Sequence, residues 1–548
     1  MPERYAATMV AIDDHVTDDP RALFRDADDG APWFEATIPE LSALQVSGEV
    51  SAVELTSAYL ARIQRLDPLL HAVLETNPDA LAIAGRLDRE RATGRIRGPL
   101  HGIPILVKDN IATNDRMETT AGSLALLGSR VPRDARVVAR LRAAGAVILG
   151  KTNLSEWANF RGIVPPAVRE AGMYLNGWSA RGGFTRNPYD LGRDPSGSSS
   201  GSGVAPSANL AAAAIGTETD GSIVSPGSAN GVVGLKPTVG LVSQSGMVPI
   251  SHSQDTAGPM TRTVTDAAIL LDVLRSPFGG LAATGAKRSP RTYRSALRRG
   301  ALRGARLGVD RRMFEGAEGA DDALNAVAEQ AFQALAGLGA TLVDPITPVD
   351  TDALIEDELT VLLTEFKVDM AEYLAGLHGT SIRTLADLIT FNNDHCAEEL
   401  RFFGQEYFEV AEATGGLDDP AYRAAREQCL RATRRDGIDR ILAAHRLDAI
   451  VAPAYADTSA PAVSGYPNLS VPTGLAEDGR SGGVFLYAGA LSEARLLRFA
   501  FDLEQAVGPR QRPAFTGSPP DDPPDAGICS TPAGERRRAT RADIRMDA

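Results

Sequence analysis

The chain has 548 residues, 43% hydrophobic and 23% charged, enough apolar material for a sizeable core in one large enzyme body or in several domains. A formal net charge of −14 at pH 7 argues against nucleic acid or an anionic membrane as a partner. The three cysteines, Cys396, Cys429 and Cys529, show no paired spacing, which argues against a disulfide framework or a zinc site and favours a reducing, cytoplasmic setting.

Residues 1–37 read as an N-terminal arm without periodicity, and the short apolar stretch from Ala6 to Ile12 stops at Asp13 and Asp14. It lacks the apolar core of a signal peptide, and no run elsewhere is long enough to span a bilayer. Helical order is expected after Ser51, where Ser51-Ala-Val-Glu54 matches a capping box. Leu55, Tyr59, Leu60 and Ile63 then recur at helical spacing until Asp67-Pro68. Residues 101–111 read as a loop and a buried strand, 134–144 as a helix and 146–149 as a strand. This alternation predicts an α/β domain.

The alanine-rich stretch 203–216 predicts a helix joining two glycine-rich runs, and short strands follow over 232–241. A helical layer is expected across 280–435, strands at 447–451 and 469–471, and a last helix over 492–506. The main domain is placed at 38–508. From Thr516 onward Pro, Asp, Gly, Ser and Arg dominate, ending in Glu535-Arg-Arg-Arg538, so the tail 509–548 is expected to be disordered. No internal repeat is visible.

The two glycine-rich runs carry serines 24 positions apart: Ser198 in Pro195-Ser-Gly-Ser-Ser-Ser-Gly-Ser-Gly203, and Ser222 in Gly216-Thr-Glu-Thr-Asp-Gly-Ser-Ile223. A serine hydroxyl is a poor nucleophile until a base removes its proton. Histidine is the common base, and a Ser222–His252–Asp255 triad is conceivable, but nothing in the local pattern supports it. A neutral lysine can do the same work. Lys108 ends the apolar run Ile103 to Val107, and burial can bring a lysine from about 10.4 to roughly 7–8. The plainer alternative is a salt bridge from Lys108 to Asp109.

The turn Thr219-Asp-Gly-Ser222 can aim several backbone N–H groups at one point, as an oxyanion site requires. Ser198 could relay a proton between Lys108 and Ser222, because a hydroxyl both donates and accepts. Two motif strings mislead. Gly145-Ala-Val-Ile-Leu-Gly-Lys-Thr152 fits a phosphate-binding loop, but its variable positions read as the strand itself. Gly197-Ser-Ser-Ser-Gly201 fits a nucleophile elbow but follows a turn instead of a strand.

From about Ile38 to Ala506 the chain resembles the amidase signature family. The resemblance rests on Gly102-Ile-Pro-Ile-Leu-Val-Lys-Asp-Asn110, Gly150-Lys-Thr-Asn-Leu-Ser-Glu156, both serine runs, Gly234-Leu-Lys-Pro-Thr238 and Tyr466-Pro-Asn-Leu-Ser-Val-Pro472. It implies a single large domain with a twisted, mixed central β-sheet surrounded by helices, without cofactor or metal. It further implies Lys108 as general base, Ser198 as bridging serine behind a cis peptide bond, and Ser222 as nucleophile. The backbone N–H groups of Thr219, Asp220, Gly221 and Ser222 would form the oxyanion hole.

Glu218, Asp220 and Val224 stand where many members have Asp, Gly and Arg, which makes the run similar to bacterial peptide amidases. Asn176-Gly-Trp-Ser-Ala-Arg-Gly-Gly183 and His252-Ser-Gln-Asp-Thr-Ala-Gly-Pro259 point the same way. The expected reaction is hydrolysis of small or peptidyl carboxamides with release of ammonia, C-terminal peptide amides being favoured, by a monomer or homodimer. The alternatives are a component of a tRNA-dependent amidotransferase, which Val224 and the acidic charge disfavour, and an arylamide or ester hydrolase. Departures lie at Ser196, where Gly or Cys is common, at 163–174, which reads as an insertion, and at 457–464, which reads as shortened.

Overall fold

The capping box forms as its residue pattern dictates: Ser51 Oγ accepts from the Glu54 N–H at 3.0 Å, and Glu54 accepts from the Ser51 N–H at 2.8 Å. The helix Ala52–Leu70 carries Pro68 inside its last turn, so it outruns the break expected at Asp67-Pro68. It buries Leu55, Tyr59, Ile63 and Leu66 at helical spacing. The computed structural model describes residues 28, 30–166, 168, 174–276, 292–314 and 320–544.

In chain order the strands are β1 (Val73–Thr76), β2 (Pro104–Lys108), β3 (Val147–Thr152), β4 (Trp178–Ser179), β5 (Gly183–Phe184), β6 (Ala213–Glu218), β7 (Val233–Lys236), β8 (Thr256–Thr261), β9 (Arg306–Asp310), β10 (Thr341–Ile346), β11 (Ala449–Pro453), β12 (Asn468–Leu475) and β13 (Ser481–Tyr487). β4 and β5 form a small hairpin of their own. The other 11 make one mixed sheet in the order β1-β3-β2-β6-β8-β7-β12-β13-β11-β9-β10. β2 runs parallel to both β3 and β6, and β9 runs parallel to β10 and β11. The middle of the sheet is antiparallel.

Every residue of β2, β3, β6, β7, β8, β11 and β13 is buried, so both faces of the sheet are covered. That explains why β2, β3 and β11 read as largely continuous apolar runs instead of alternating ones. The main core gathers Ile105, Val107, Ile215, Leu235, Leu307 and Leu486 around the sheet. A second cluster, with Trp157, Phe160, Phe366 and Phe408, fills the space under the helix Ile355–Ala375. Among the described residues no helix is long and apolar enough to cross a membrane.

Several expectations need correction. The alanine-rich stretch splits: Ser200–Ser207 is helical, but Ala213–Glu218 is strand β6, held between β2 and β8. Small alanines suit the centre of a sheet packed on both faces, and tertiary context overrides their helix propensity. The region expected to be a helical layer also contains β9 and β10. Its residues 280–291 and 315–319 lie outside the described ones, as do 277–279 before it and 167 and 169–173 of the expected insertion. The end of the arm packs on the body, Trp33 being buried against Tyr59 with their ring centroids 5.1 Å apart. Most of the arm, residues 1–27 and 29, lies outside the described residues.

The tail departs most. Instead of disorder, residues 509–544 lie along the body. Phe515 N–H donates to the Pro188 carbonyl at 2.9 Å, and Ala526 N–H to the Arg401 carbonyl at 2.8 Å. Ile544 is 1% exposed in the second cluster. Cys529 is bonded to Cys396 across 133 positions, so a disulfide exists where the cysteine spacing argues against one. This crosslink also opposes the expected reducing compartment, because such bonds persist in oxidising surroundings. The covalent tie and a few anchoring side chains offset an ordering entropy that the tail's composition alone does not.

Candidate active site

β2 delivers Lys108 to the site. Its side chain is fully buried, and Nζ lies 2.8 Å from Ser198 Oγ, 3.0 Å from Thr217 Oγ1 and 3.4 Å from the Thr217 carbonyl. Burial brings its pKa down to about 7, against the opposing pull of the Asp255 and Glu218 charges. The salt bridge to Asp109 does not form. Asp109 instead accepts from Thr120 Oγ1 and lies 3.8 Å from Lys151 Nζ and 3.4 Å from Arg181 Nη1.

Three oxygens around one ammonium nitrogen match a neutral amine as well. A neutral lysine has two N–H donors and one lone pair, and Thr217 offers two acceptors. Asn110 Nδ2 also donates to Thr217 Oγ1 at 2.9 Å. A neutral Lys108 that gave both N–H groups to Thr217 would have its lone pair left for Ser198.

Ser198 follows a cis Gly197–Ser198 peptide bond and lies just before the helix Ser200–Ser207. Its carbonyl accepts from the Ser155 N–H at 3.1 Å. The next residue, Ser199, donates its N–H to the Ser222 carbonyl at 3.2 Å, so the two glycine-rich runs lie side by side. Ser199 Oγ in turn donates to the Thr217 carbonyl at 2.9 Å. Lys108, Ser198 and the Ser222 backbone are thus brought to one place from three distant segments.

Ser222 is 9% exposed and sits between Gly221, at φ +74°, and the short helix Val224–Ala229. A side chain at position 221 would be both strained and crowded, with its Cβ 2.8 Å from Thr458 Oγ1. Glu218 fixes the far side of the turn by accepting from the N–H groups of Ile223 at 2.7 Å and Val224 at 3.0 Å. Its other oxygen accepts from Asn468 Nδ2 at 3.1 Å. Among the described residues none accepts from the N–H groups of Asp220, Gly221 or Ser222. They remain free donors beside the Ser222 hydroxyl.

The side chains of Thr219 and Asp220 are both held by neighbouring groups. Thr219 Oγ1 donates to Asp255 at 2.6 Å, and Asp220 accepts from Thr458 Oγ1 at 2.6 Å. Burial pushes Asp255 up to about 6 and Asp220 up to about 7, the latter with help from the Asp457 charge. Fully buried Lys236 donates to the Tyr466 carbonyl at 2.6 Å, and burial lowers it to about 8.

The alternative triad does not assemble. His252 is half-exposed and turns Nδ1 to Asp369 at 2.9 Å and Nε2 to Glu365 at 3.5 Å. Asp255 is occupied by Thr219 and by the N–H groups of Ile250 and Ser251. His252→Ala is therefore expected to retain turnover to within about threefold, checked by steady-state assay against any amide the wild type hydrolyses; a loss beyond about 100-fold, the range for a lost general base, would favour the histidine. Of the misleading strings, Gly145–Thr152 is mostly β3 itself, with Lys151 held by the Ile111 carbonyl at 2.7 Å and Thr119 Oγ1 at 3.0 Å.

Glu218, Thr217, Ser199, Asn110 and Thr458 have no role that the sequence alone assigns. An acid and two hydroxyls inside glycine-rich, otherwise small-residue runs are the visible signal for the first three.

A family model described as Amidase matches residues 54–464. A protein of Arabidopsis thaliana named as a probable amidase is 41% identical over 491 residues, covering 88% of this chain and 92% of its own length. A protein of Salinispora tropica named as a component of the glutamyl-tRNA(Gln) amidotransferase is 35% identical over 510 residues, covering 87% and 98%. Among solved structures, the peptide amidase from Stenotrophomonas maltophilia superposes with a TM-score of 0.81 at 48% identity, covering 88% of this chain and 99% of that one.

Proposed function

The chain belongs to the amidase family and is an amide-hydrolysing enzyme, and from that premise we propose that Ser222, Ser198 and Lys108 perform the hydrolysis. The observation that carries this reading is the 2.8 Å approach of a buried, easily deprotonated Lys108 to Ser198. Neutral Lys108 accepts the Ser198 proton while Ser198 accepts the proton of Ser222. The Ser222 oxygen then bonds to the carboxamide carbon, and the carbonyl electron pair moves onto oxygen. The free N–H groups of Asp220, Gly221 and Ser222, with that of Thr219, stabilise this oxyanion.

Collapse of the tetrahedral species breaks the C–N bond, and the proton held by Lys108 returns through Ser198 to the leaving nitrogen as ammonia departs. Water repeats the sequence on the acyl-serine, releasing the carboxylic acid and restoring Ser222. None of these steps requires a cofactor or metal.

The favoured substrates are peptides with a C-terminal carboxamide, supported by the 48% identity to a peptide amidase over nearly all of that chain. The Salinispora tropica amidotransferase component stands at a lower identity, 35%, over a similar span. Val224, the first residue of the helix after the turn, is buried at 1% exposure among Ile346, Val349 and Ile450, so the helix start offers no basic side chain there.

Hydrolysis of amidated peptides, simple amides and glutamine, read as ammonia released, and of anilides and esters, read as the aniline or alcohol released, tests the reading. The expected result is fastest turnover of amidated peptides, with Ser222→Ala reducing it by at least about 10⁴-fold, as removal of a catalytic nucleophile does. Ammonia from glutamine alone would overturn the substrate class, and full activity in Ser222→Ala would overturn the nucleophile.

A further inference from the structure

Asp220 sits two residues before the nucleophile in the same turn, where a carboxylate has no part in the proton relay. Its Oδ1 accepts from Thr458 Oγ1 at 2.6 Å, and the residue as a whole is partly exposed. The neighbouring charges are mostly of one sign. Asp457 adjoins Thr458, accepting from Thr351 Oγ1 at 2.5 Å and pairing with Arg312 at 3.2 Å, while Arg312 is shared with Asp310 at 2.8 Å. Glu358 accepts from Gln254 Nε2 at 2.8 Å, and Glu218 lies on the strand that leads into the turn. Among the described residues neither Asp220 nor Glu358 has an ion-pair partner.

We propose that Asp220 sets a charge preference at this site, selecting amides that carry a positive charge beside the scissile carbonyl and disfavouring the anionic product. The inference rests on the amide-hydrolase reading through Ser222. Two peptide units separate Asp220 from Ser222, an α-carbon span of at most about 7 Å, so with the reach of both side chains its carboxylate lies within about 12 Å of the serine oxygen. Hydrolysis turns a neutral carboxamide into a carboxylate, which the same negative charge repels. A cation on the acyl group instead neutralises a carboxylate that its own surroundings leave unpaired. At such separations near a protein surface the attraction is worth about tenfold in kcat/KM after screening.

Burial and the Asp457 charge place Asp220 at about 7, so the preference depends on pH. Asp457 and Glu358 face it from other elements and Glu218 from its own strand, while the cation Arg312 is tied to Asp457 and Asp310. Raising the pH through 7 adds negative charge at Asp220 and strengthens the preference. Protonation of Lys108 scales the turnover of all substrates together and cancels in a ratio.

N-acetyl-argininamide and N-acetyl-citrullinamide are close in shape and differ in charge. For the wild type the ratio of their kcat/KM values is expected to be about 10 at pH 8 and to fall towards 1 at pH 6. In Asp220→Asn it is expected to be near 1 at both. A wild-type ratio of 1 at pH 8, or a ratio unaltered by Asp220→Asn, overturns the inference while leaving the amidase reading intact. If the variant is inactive or unfolded, the wild-type pH series decides, a flat ratio overturning the inference. Ammonia release from neither amide, nor from any amidated peptide, overturns the amidase reading and this inference with it.

Discussion

Lys108→Ala is expected to lower kcat/KM for a carboxamide by about 10²–10⁴-fold, the range associated with loss of a positioned general base. In the wild type kcat/KM should fall as the pH drops through about 7, because the protonated amine has no lone pair for Ser198. A profile flat to pH 5, or full activity in Lys108→Ala, would remove lysine as the base. Replacing this lysine has an opposite effect on stability. An unfolded lysine holds its proton up to about 10.4, whereas the buried one releases it near 7. Between those values the unfolded state binds more protons, so this residue's contribution to stability rises with pH across that window and is least favourable below it. Lys108→Met is therefore expected to raise the melting temperature at neutral pH while abolishing turnover, corresponding to a few kcal/mol at most once the lost hydrogen bonds are subtracted. Calorimetry at pH 7 and pH 10 checks this, the gain being larger at pH 7.

Breaking the Cys396–Cys529 bond is the second large effect expected. A closed loop of 133 residues corresponds to about 5 kcal/mol of denatured-state entropy in the chain model, with 2–4 kcal/mol more typical in practice. For a chain of this size that is about 2–4 °C in melting temperature. The local effect should be larger, because between Ala526 and the contacts of Arg536 and Arg541 the tail is held chiefly by this bond. Cys529→Ser, or mild reduction, should make the 527–535 segment a preferred site of limited proteolysis while the body survives. Equal cleavage with and without reductant would show that the tail is held by its other contacts.

Much of the site is legible in the sequence because its chemistry is local. Lys108 on an apolar strand and two serine-bearing glycine runs each announce themselves within about ten residues. The β2 and β3 strands are legible for the same reason. Features that depend on meetings across the chain are not. Nothing in the spacing of Cys396 and Cys529 announces that the fold brings their Cα atoms to 5.8 Å. The strand identity of Ala213–Glu218 is set by β2 and β8 on either side, not by its own residues. Glu218 as a cap for Ile223 and Val224 becomes visible only once the turn is folded. His252 illustrates the converse, a plausible triad member whose partners prove to be Asp369 and Glu365 on the helix Ile355–Ala375.

The close approach of the Thr458 hydroxyl to the space where a Cβ of residue 221 would lie ties two stretches of chain that a protein engineer would be tempted to vary separately. Randomising the segment after β11 to accept bulkier acyl groups would shift the hydroxyl against which the turn rests, and so displace the reactive oxygen. Libraries that diversify 457–464 together with 220 should yield active clones more often than libraries built on either stretch alone.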